Sequence, residues 1–185
     1  MPWVSADTPQ ADRAGRYRAR MRYAVRERIF SIGDDFWITD DQGNKAFLVD
    51  GKALRLRQTF ELKDGSGAVV AVVRKKLVAV RETMEIEQGG DVVATVRKAL
   101  VSPLRHRSVI ELSDGTELEA VGDILAHEFE IRPDGGGQPL ARISRAWFTM
   151  RDRYGVDVGP GLDDALILAM AVALDRLEHD EAQRR

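Results

Sequence analysis

Cysteine is absent from the 185-residue chain. Disulfide bonds, thiolate metal sites and cysteine nucleophiles are therefore excluded. Long apolar runs are absent as well, since no stretch reaches the ~18 residues that a membrane-spanning helix needs. The first residues also lack the apolar segment that is typical of a signal peptide. We therefore expect a cytoplasmic protein that is at most peripheral to a membrane.

The signatures of common enzyme classes are missing too. The sequence contains no Gly-x-Ser-x-Gly nucleophile elbow, no P-loop and no dinucleotide-binding glycine motif. Its three histidines, His106, His127 and His179, lack the spacing of metal ligands. We interpret His106 and His127 as ordinary surface residues of strands, and His179 as lying at the frayed end of a helix. The sequence therefore predicts a protein without enzymatic activity, metal or cofactor.

Positive charge is concentrated near the N-terminus. The net charge of −2 combines +4 on residues 1–28 with −6 on the remainder. Residues 1–20 show no apolar period, so we predict an unstructured, Arg-rich leader that includes Arg16, Arg18 and Arg20. Attraction to polyanions should begin from this arm.

The body of the sequence is repetitive. An apolar-Glu-apolar motif followed by a glycine turn occurs four times, at Phe60-Glu61-Leu62, Met84-Glu85-Ile86, Ile110-Glu111-Leu112 and Phe129-Glu130-Ile131. Alternation with period two predicts a strand with one buried face. The Asp-Gly and Gly-Gly pairs that follow supply the positive φ of tight hairpin turns.

The strands after these turns repeat as well. Residues 69–77 match residues 92–100 at seven of nine positions, and 140–147 is a looser copy. A hairpin cannot bury its apolar face alone, so repeated hairpins indicate a closed or stacked sheet. Further strands bring the predicted number to about twelve. These further strands lie near residues 23–26, 36–40, 45–49, 117–121 and 154–158.

The C-terminal segment differs from the rest. The run from Ala165 to Leu174 is apolar on every face of a helix, which predicts burial. A barrel of about twelve strands is too wide for its own side chains to fill, and a central helix would fill it. The sequence therefore predicts a mainly β fold, an antiparallel barrel of about twelve strands that encloses a hydrophobic C-terminal α-helix. The barrel domain should span residues 21–178, between the leader and a polar tail at 179–185.

Several segments resemble bacterial LURP-one-related proteins. The opening carries Phe36-Trp37-Ile38-Thr39-Asp40 and Val49-Asp50-Gly51-Lys52-Ala53-Leu54, and the close carries 141–147, 152–156 and Asp163-Asp164. The resemblance covers residues 21–178 and implies the twelve-stranded barrel with its central helix. The family is similar to the tubby C-terminal superfamily, whose tubby domains bind phosphoinositides and whose scramblases are membrane-associated and calcium-responsive. Fold likeness alone transfers neither property.

Acidic residues offer two candidate sites. The central residues of the four motifs, Glu61, Glu85, Glu111 and Glu130, either converge as catalytic carboxylates or line the solvent face of the barrel, and the alternation favours the solvent face. Asp152, Asp157, Asp163 and Asp164 lie where scramblases carry a proposed calcium segment. Their spacing is loose and Gly159-Pro160-Gly161 interrupts it, which favours turn and helix-capping roles.

Basic residues give the functional prediction. Candidate anion-binding residues stand at equivalent points of consecutive hairpins, namely Arg74, Lys75, Arg97, Lys98, Arg105 and Arg107. We expect them on neighbouring strands at one rim, where one residue of each Arg-Lys pair faces a phosphate. The alternative is a set of solvated strand ends. The chain is thus predicted to be a non-enzymatic module that binds an anionic ligand such as a phospholipid headgroup. A protein-interaction scaffold is the alternative, and nucleic-acid binding through the Arg-rich arm is a weaker one.

Overall fold

The fold of the chain is known from a computed structural model. It describes residues 20–26, 35–51, 59–76, 81–99, 107–145, 147 and 153–182. The predicted leader therefore lies outside the described residues except for Arg20. The elements are β1 (Met21–Arg26), β2 (Phe36–Asp40), β3 (Lys45–Gly51), β4 (Thr59–Asp64), β5 (Val69–Lys75), β6 (Thr83–Gln88), β7 (Asp91–Lys98), β8 (Arg107–Leu112), β9 (Glu117–Asp123), β10 (Glu128–Pro133), β11 (Ala141–Ser144), β12 (Arg153–Val158) and α1 (Asp164–Ala182).

The strands form one closed antiparallel barrel. Each strand pairs with its neighbours in sequence, and β1 pairs with β12 to close the ring. The register of the closure runs from Met21 opposite Val158 to Arg26 opposite Arg153. Within the described part of the chain, every strand therefore has a partner strand on both sides. The predicted barrel of about twelve strands is confirmed.

The two ends of the barrel differ. Short turns join β2 to β3, β4 to β5, β6 to β7 and β8 to β9 at the end that we call the turn rim. Side-chain oxygens organise three of these turns, because an aspartate in each accepts the backbone N–H group of the residue two positions later. These residues are Asp40, Asp64 and Asp114. The other end, which we call the helix-end rim, holds the last residues of β5 and β7 and the C-terminal turns of α1.

Helix α1 fills the barrel. Asp163 caps it, with Oδ1 accepting the backbone N–H groups of Ala165 at 2.9 Å and Leu166 at 3.2 Å. The run from Ile167 to Leu174 is buried against the inner faces of the strands. The predicted central helix and its capping by Asp163 are confirmed. The helix continues to Ala182, so His179 lies inside it and is half-buried, contrary to the predicted frayed end.

The turn between β9 and β10 reaches into the barrel. Gly122 has φ +137°, and a Cβ there would lie 2.4 Å from the carbonyl oxygen of Glu128, so only glycine allows this close approach. The turn ends at His127, which has φ 55° and is buried. The interpretation of His127 as a surface strand residue was therefore wrong, because the turn directs its ring inward.

Candidate functional site

The repeated Arg-Lys pair is divided by the two faces of the barrel wall. In β5 and β7 the residues before the pair alternate between buried and half-buried positions, with Val73 and Val96 on the inner face. Alternation then directs Lys75 and Lys98 inward and the preceding arginines outward. The two lysines contact the helix, which confirms this orientation.

The outer arginines are held by carboxylates. Arg74 pairs with Glu87, and Arg97 Nη1 lies 3.0 Å from Glu111 Oε2. Arg107 Nε lies 2.7 Å from Glu119 Oε2 and the same guanidinium pairs with Asp134. The arginine side chains stay between 28% and 40% exposed. Ion pairs at this exposure contribute about 0–1 kcal/mol, so another anion can compete for the guanidinium groups.

The spacing of these arginines corrects one expectation. Strand β6 lies between β5 and β7, with Arg74 opposite Glu85 and Arg97 opposite Thr83. The two arginines therefore stand two strands apart, about 10 Å, and not on neighbouring strands. The structure instead brings Arg97 next to Arg107, because Val109, two residues along β8, is opposite Arg97. Such diagonal neighbours are about 7–8 Å apart. Arg105 lies outside the described residues.

The inner lysines connect the barrel to the helix. Lys75 Nζ lies 2.7 Å from Asp180 Oδ2 and 2.8 Å from Glu82 Oε1, and Lys98 Nζ lies 2.9 Å from Glu178 Oε2. Burial alone would lower the pKa of the Lys75 ammonium, but its hydrogen bonds to Asp180 and Glu82 raise the pKa above its ordinary value of 10.5. Lys75 therefore remains charged, and both lysines contact carboxylates in the last turns of α1.

A buried polar cluster lies deeper along the helix. His127 Nε2 is 3.0 Å from Asp175 Oδ1, and the His127 ring stacks on Tyr154 with centroids 4.2 Å apart. Burial raises the pKa of Asp175, while the hydrogen bond from His127 opposes that shift. Burial also raises the pKa of Tyr154 well above its ordinary value. All three side chains are inaccessible to solvent, so the cluster holds the helix and does not present a surface to a substrate.

The four motif glutamates do not converge. They project from the outer wall of four different strands, and each pairs with a basic residue of its own or an adjacent strand. The partners are Glu61 with Lys63 at 3.8 Å, Glu85 with Lys76 at 2.9 Å, Glu111 with Arg97 at 3.0 Å and Glu130 with Arg142 at 2.9 Å. This arrangement is the solvent face that the alternation favoured.

The C-terminal aspartates have separate partners. Asp157 pairs with Arg20 at 3.0 Å, Asp164 accepts the Tyr23 hydroxyl at 3.0 Å, and Asp163 caps the helix. Asp152 lies outside the described residues. In the described ranges, no group of three or more histidine or carboxylate side chains is arranged to hold a metal ion.

A shallow groove of about 350 Å³ lies on the outer wall of β9 to β11. Trp147 forms one side of it, and Arg22 stacks on that indole at 4.7 Å. The charged side chains that line the groove are engaged with each other or with neighbours, as in Arg142 with Glu130 and Arg132 with Glu119. None of the predicted anion-binding residues lines it.

Comparisons with known proteins agree with this architecture. No curated protein matches the sequence. An X-ray structure of an Arabidopsis thaliana protein superposes with a TM-score of 0.64 at 22% sequence identity, covering 86% of this chain and 91% of that one. Among the described elements, no helix is both long and apolar enough to cross a membrane. The model of the LURP-one-related family matches residues 21–175, and the chain therefore belongs to that family.

Proposed function

We propose that this chain is a non-enzymatic binding domain for an anionic ligand, and that the ligand is a phospholipid headgroup met at a membrane surface. Membership of the LURP-one-related family and the tubby-like fold favour a binding domain. The observation that carries the anionic ligand is the placement of Arg97 and Arg107 on adjacent strands of the outer wall. Diagonal neighbours about 7–8 Å apart carry side chains long enough for two guanidinium groups to reach one phosphate.

Such a ligand can compete with the carboxylates that pair with Arg97 and Arg107. Glu111 is 46% exposed and Asp134 is 41% exposed, so both carboxylates return to water when they release an arginine. Glu119, the other partner of Arg107, is only 7% exposed but keeps Arg132 as a partner at 2.8 Å. The phosphodiester of a phospholipid carries one negative charge, as a carboxylate does, and accepts bidentate hydrogen bonds from guanidinium groups. Near an anionic membrane each basic residue contributes about 1 kcal/mol, which matches or exceeds an exposed ion pair.

The protein-interaction scaffold is a second candidate function, and a specific observation favours it. The described candidate cations, Arg74, Lys75, Arg97, Lys98 and Arg107, each have a carboxylate partner. Such a balanced outer wall also suits a barrel that only presents its surface to other proteins. Nucleic-acid binding ranks last, since it relies on the N-terminal arm, of which Arg20 pairs with Asp157.

Vesicle flotation at two salt concentrations tests the proposal. Anionic vesicles should carry the protein upward at low salt and less so at high salt, while neutral vesicles should not. The Arg97→Ala/Arg107→Ala variant should bind about 25-fold more weakly, about fivefold for each arginine. Arg142→Ala is the matched control, because Arg142 is an outer, carboxylate-paired arginine on β11 that should leave binding unchanged.

Calorimetry with inorganic phosphate separates the two sources of the anion. Binding of free phosphate without binding to anionic vesicles would assign the site to a soluble phosphate compound. If wild-type protein binds neither, or if the double variant binds as the wild type does, the scaffold is the better conclusion.

A further inference from the structure

The strand end that carries the proposed anion site also carries a lysine that the helix neutralises. Lys98 follows Arg97 at the end of β7 and stands opposite Ser108, the residue after Arg107. It therefore lies at the same level of the wall as the two outer arginines, but on the inner face. At a strand end the long lysine stem can carry its ammonium toward water.

The partner of Lys98 comes from inside the barrel. Glu178 Oε2 lies 2.9 Å from Lys98 Nζ, and the Glu178 side chain is only 6% exposed while that of Lys98 is 28% exposed. The carboxylate is thus covered and the lysine remains accessible at the helix-end rim. An anion that approaches from solvent would meet the Lys98 ammonium, whose inner side is already in contact with Glu178.

We infer that Glu178 is an internal competitor of the anionic ligand, which masks Lys98 and keeps the affinity of the rim low. The inference rests on the proposed function, since it concerns regulation of that same site. Removal of the Glu178 charge would leave the Lys98 ammonium uncompensated by this carboxylate, at the same level of the wall as the two guanidinium groups. The fold thus contains an autoinhibitory contact between α1 and the basic residues of the helix-end rim.

Lys75 and Asp180 form an equivalent pair that is less able to open. Asp180 also accepts Arg176 Nη2 at 2.6 Å, and the Arg176 side chain is buried. Loss of Asp180 would leave a buried guanidinium without this carboxylate, which is strongly unfavourable. Glu178 is therefore the carboxylate whose replacement tests the inference with less damage to the core.

The test compares anionic-vesicle flotation of full-length variants. Glu178→Gln should bind about fivefold more tightly than wild type, because one negative charge beside Lys98 is removed, and its binding should depend more steeply on salt. Lys98→Met should not bind more tightly than wild type, and Glu178→Gln/Lys98→Met should lose the gain. Asp91→Asn is the matched control, since it makes the same change in net charge at the opposite end of β7 and should show no gain.

Glu178→Leu provides a second variant if the buried amide prevents folding, because an apolar residue replaces a buried ion-pair member with less desolvation cost. If wild type binds through Arg97 and Arg107 but neither folded Glu178 variant gains affinity, the inference is wrong and the proposed function stands. If neither wild type nor any variant binds anionic vesicles, both fail. A gain that persists in Glu178→Gln/Lys98→Met also overturns the masking of Lys98.

Discussion

His127 and Asp175 are joined inside the barrel by a hydrogen bond of 3.0 Å, although 48 positions separate them in the sequence. The bond connects the β9–β10 turn to the helix, in a region where both side chains are at most 3% exposed. A buried polar pair contributes little net stability compared with apolar packing, but it is costly to break. The hydrogen bond therefore fixes how the helix is rotated and positioned. The apolar half of the helix makes contacts that are less directional.

Replacement of His127 by Ala should lower the free energy of unfolding by about 3–5 kcal/mol, because the buried Asp175 carboxylate loses its partner. Urea denaturation measures the change. A surface substitution usually lowers the free energy of unfolding by less than about 1 kcal/mol. A loss that small for His127→Ala would contradict the role of the pair.

The pH dependence of stability should report Asp175 directly. Its pKa is raised above the ordinary value of 3.8 because burial disfavours the carboxylate. A carboxyl group whose pKa is higher in the folded state stabilises the fold below 3.8 and loses this contribution as the pH rises through the folded-state pKa. Asparagine does not ionise, so Asp175→Asn should gain stability relative to wild type as the pH rises. Denaturation curves across this range check the sign, and a pH-independent difference would contradict it.

The two halves of the repeated Arg-Lys pair should respond differently to alanine. Arg74→Ala/Arg97→Ala removes outer charges whose partners, Glu87 at 14% and Glu111 at 46%, are more exposed than the helix carboxylates that hold the lysines. This variant should therefore melt within about 2–4 °C of wild type and weaken binding to anionic vesicles. Lys75→Ala/Lys98→Ala leaves the covered Asp180 and Glu178 without these partners and should melt well below it. Thermal denaturation and flotation together distinguish the pairs. Equal melting temperatures of the two variants would mean that the inward lysines do not hold the helix.

The helix should be required for a folded barrel. Leu168 is 1% exposed among the inner faces of the strands, so Leu168→Asp buries an unpaired charge and should abolish cooperative unfolding. Truncation after Gly159 should leave an insoluble or molten chain for lack of the same core. Leu168→Met conserves volume and is expected to cost less than about 1.5 kcal/mol. A soluble truncated chain with a cooperative melting transition would show that the barrel stands without α1.

The fold could be predicted because its signals are local. Glycine turns and alternating strands specify each hairpin within a few residues, and the helix from Ala165 to Leu174 has no polar face to expose. The orientation of Lys98 was harder to predict. The residues of β7 before it are apolar or small on both faces, so the sequence does not indicate which face is inner. The burial of His127 was missed, since it depends on the backbone of Gly122 and on a partner in the distant helix. One sequence signal did exist, which is that the helix turns polar at Asp175 while Leu177 still belongs to the core.

Closure of the ring by β1 and β12 has a consequence for biosynthesis. Met21 pairs with Val158, so β1 cannot pair with β12 until the ribosome has synthesised all the strands between them. The helix that completes the core follows later still, at Asp164–Ala182. Contacts this distant in sequence slow folding, and the growing chain meanwhile exposes unpaired strand edges and an apolar inner wall. Nascent chains should therefore depend on chaperones until α1 has been synthesised.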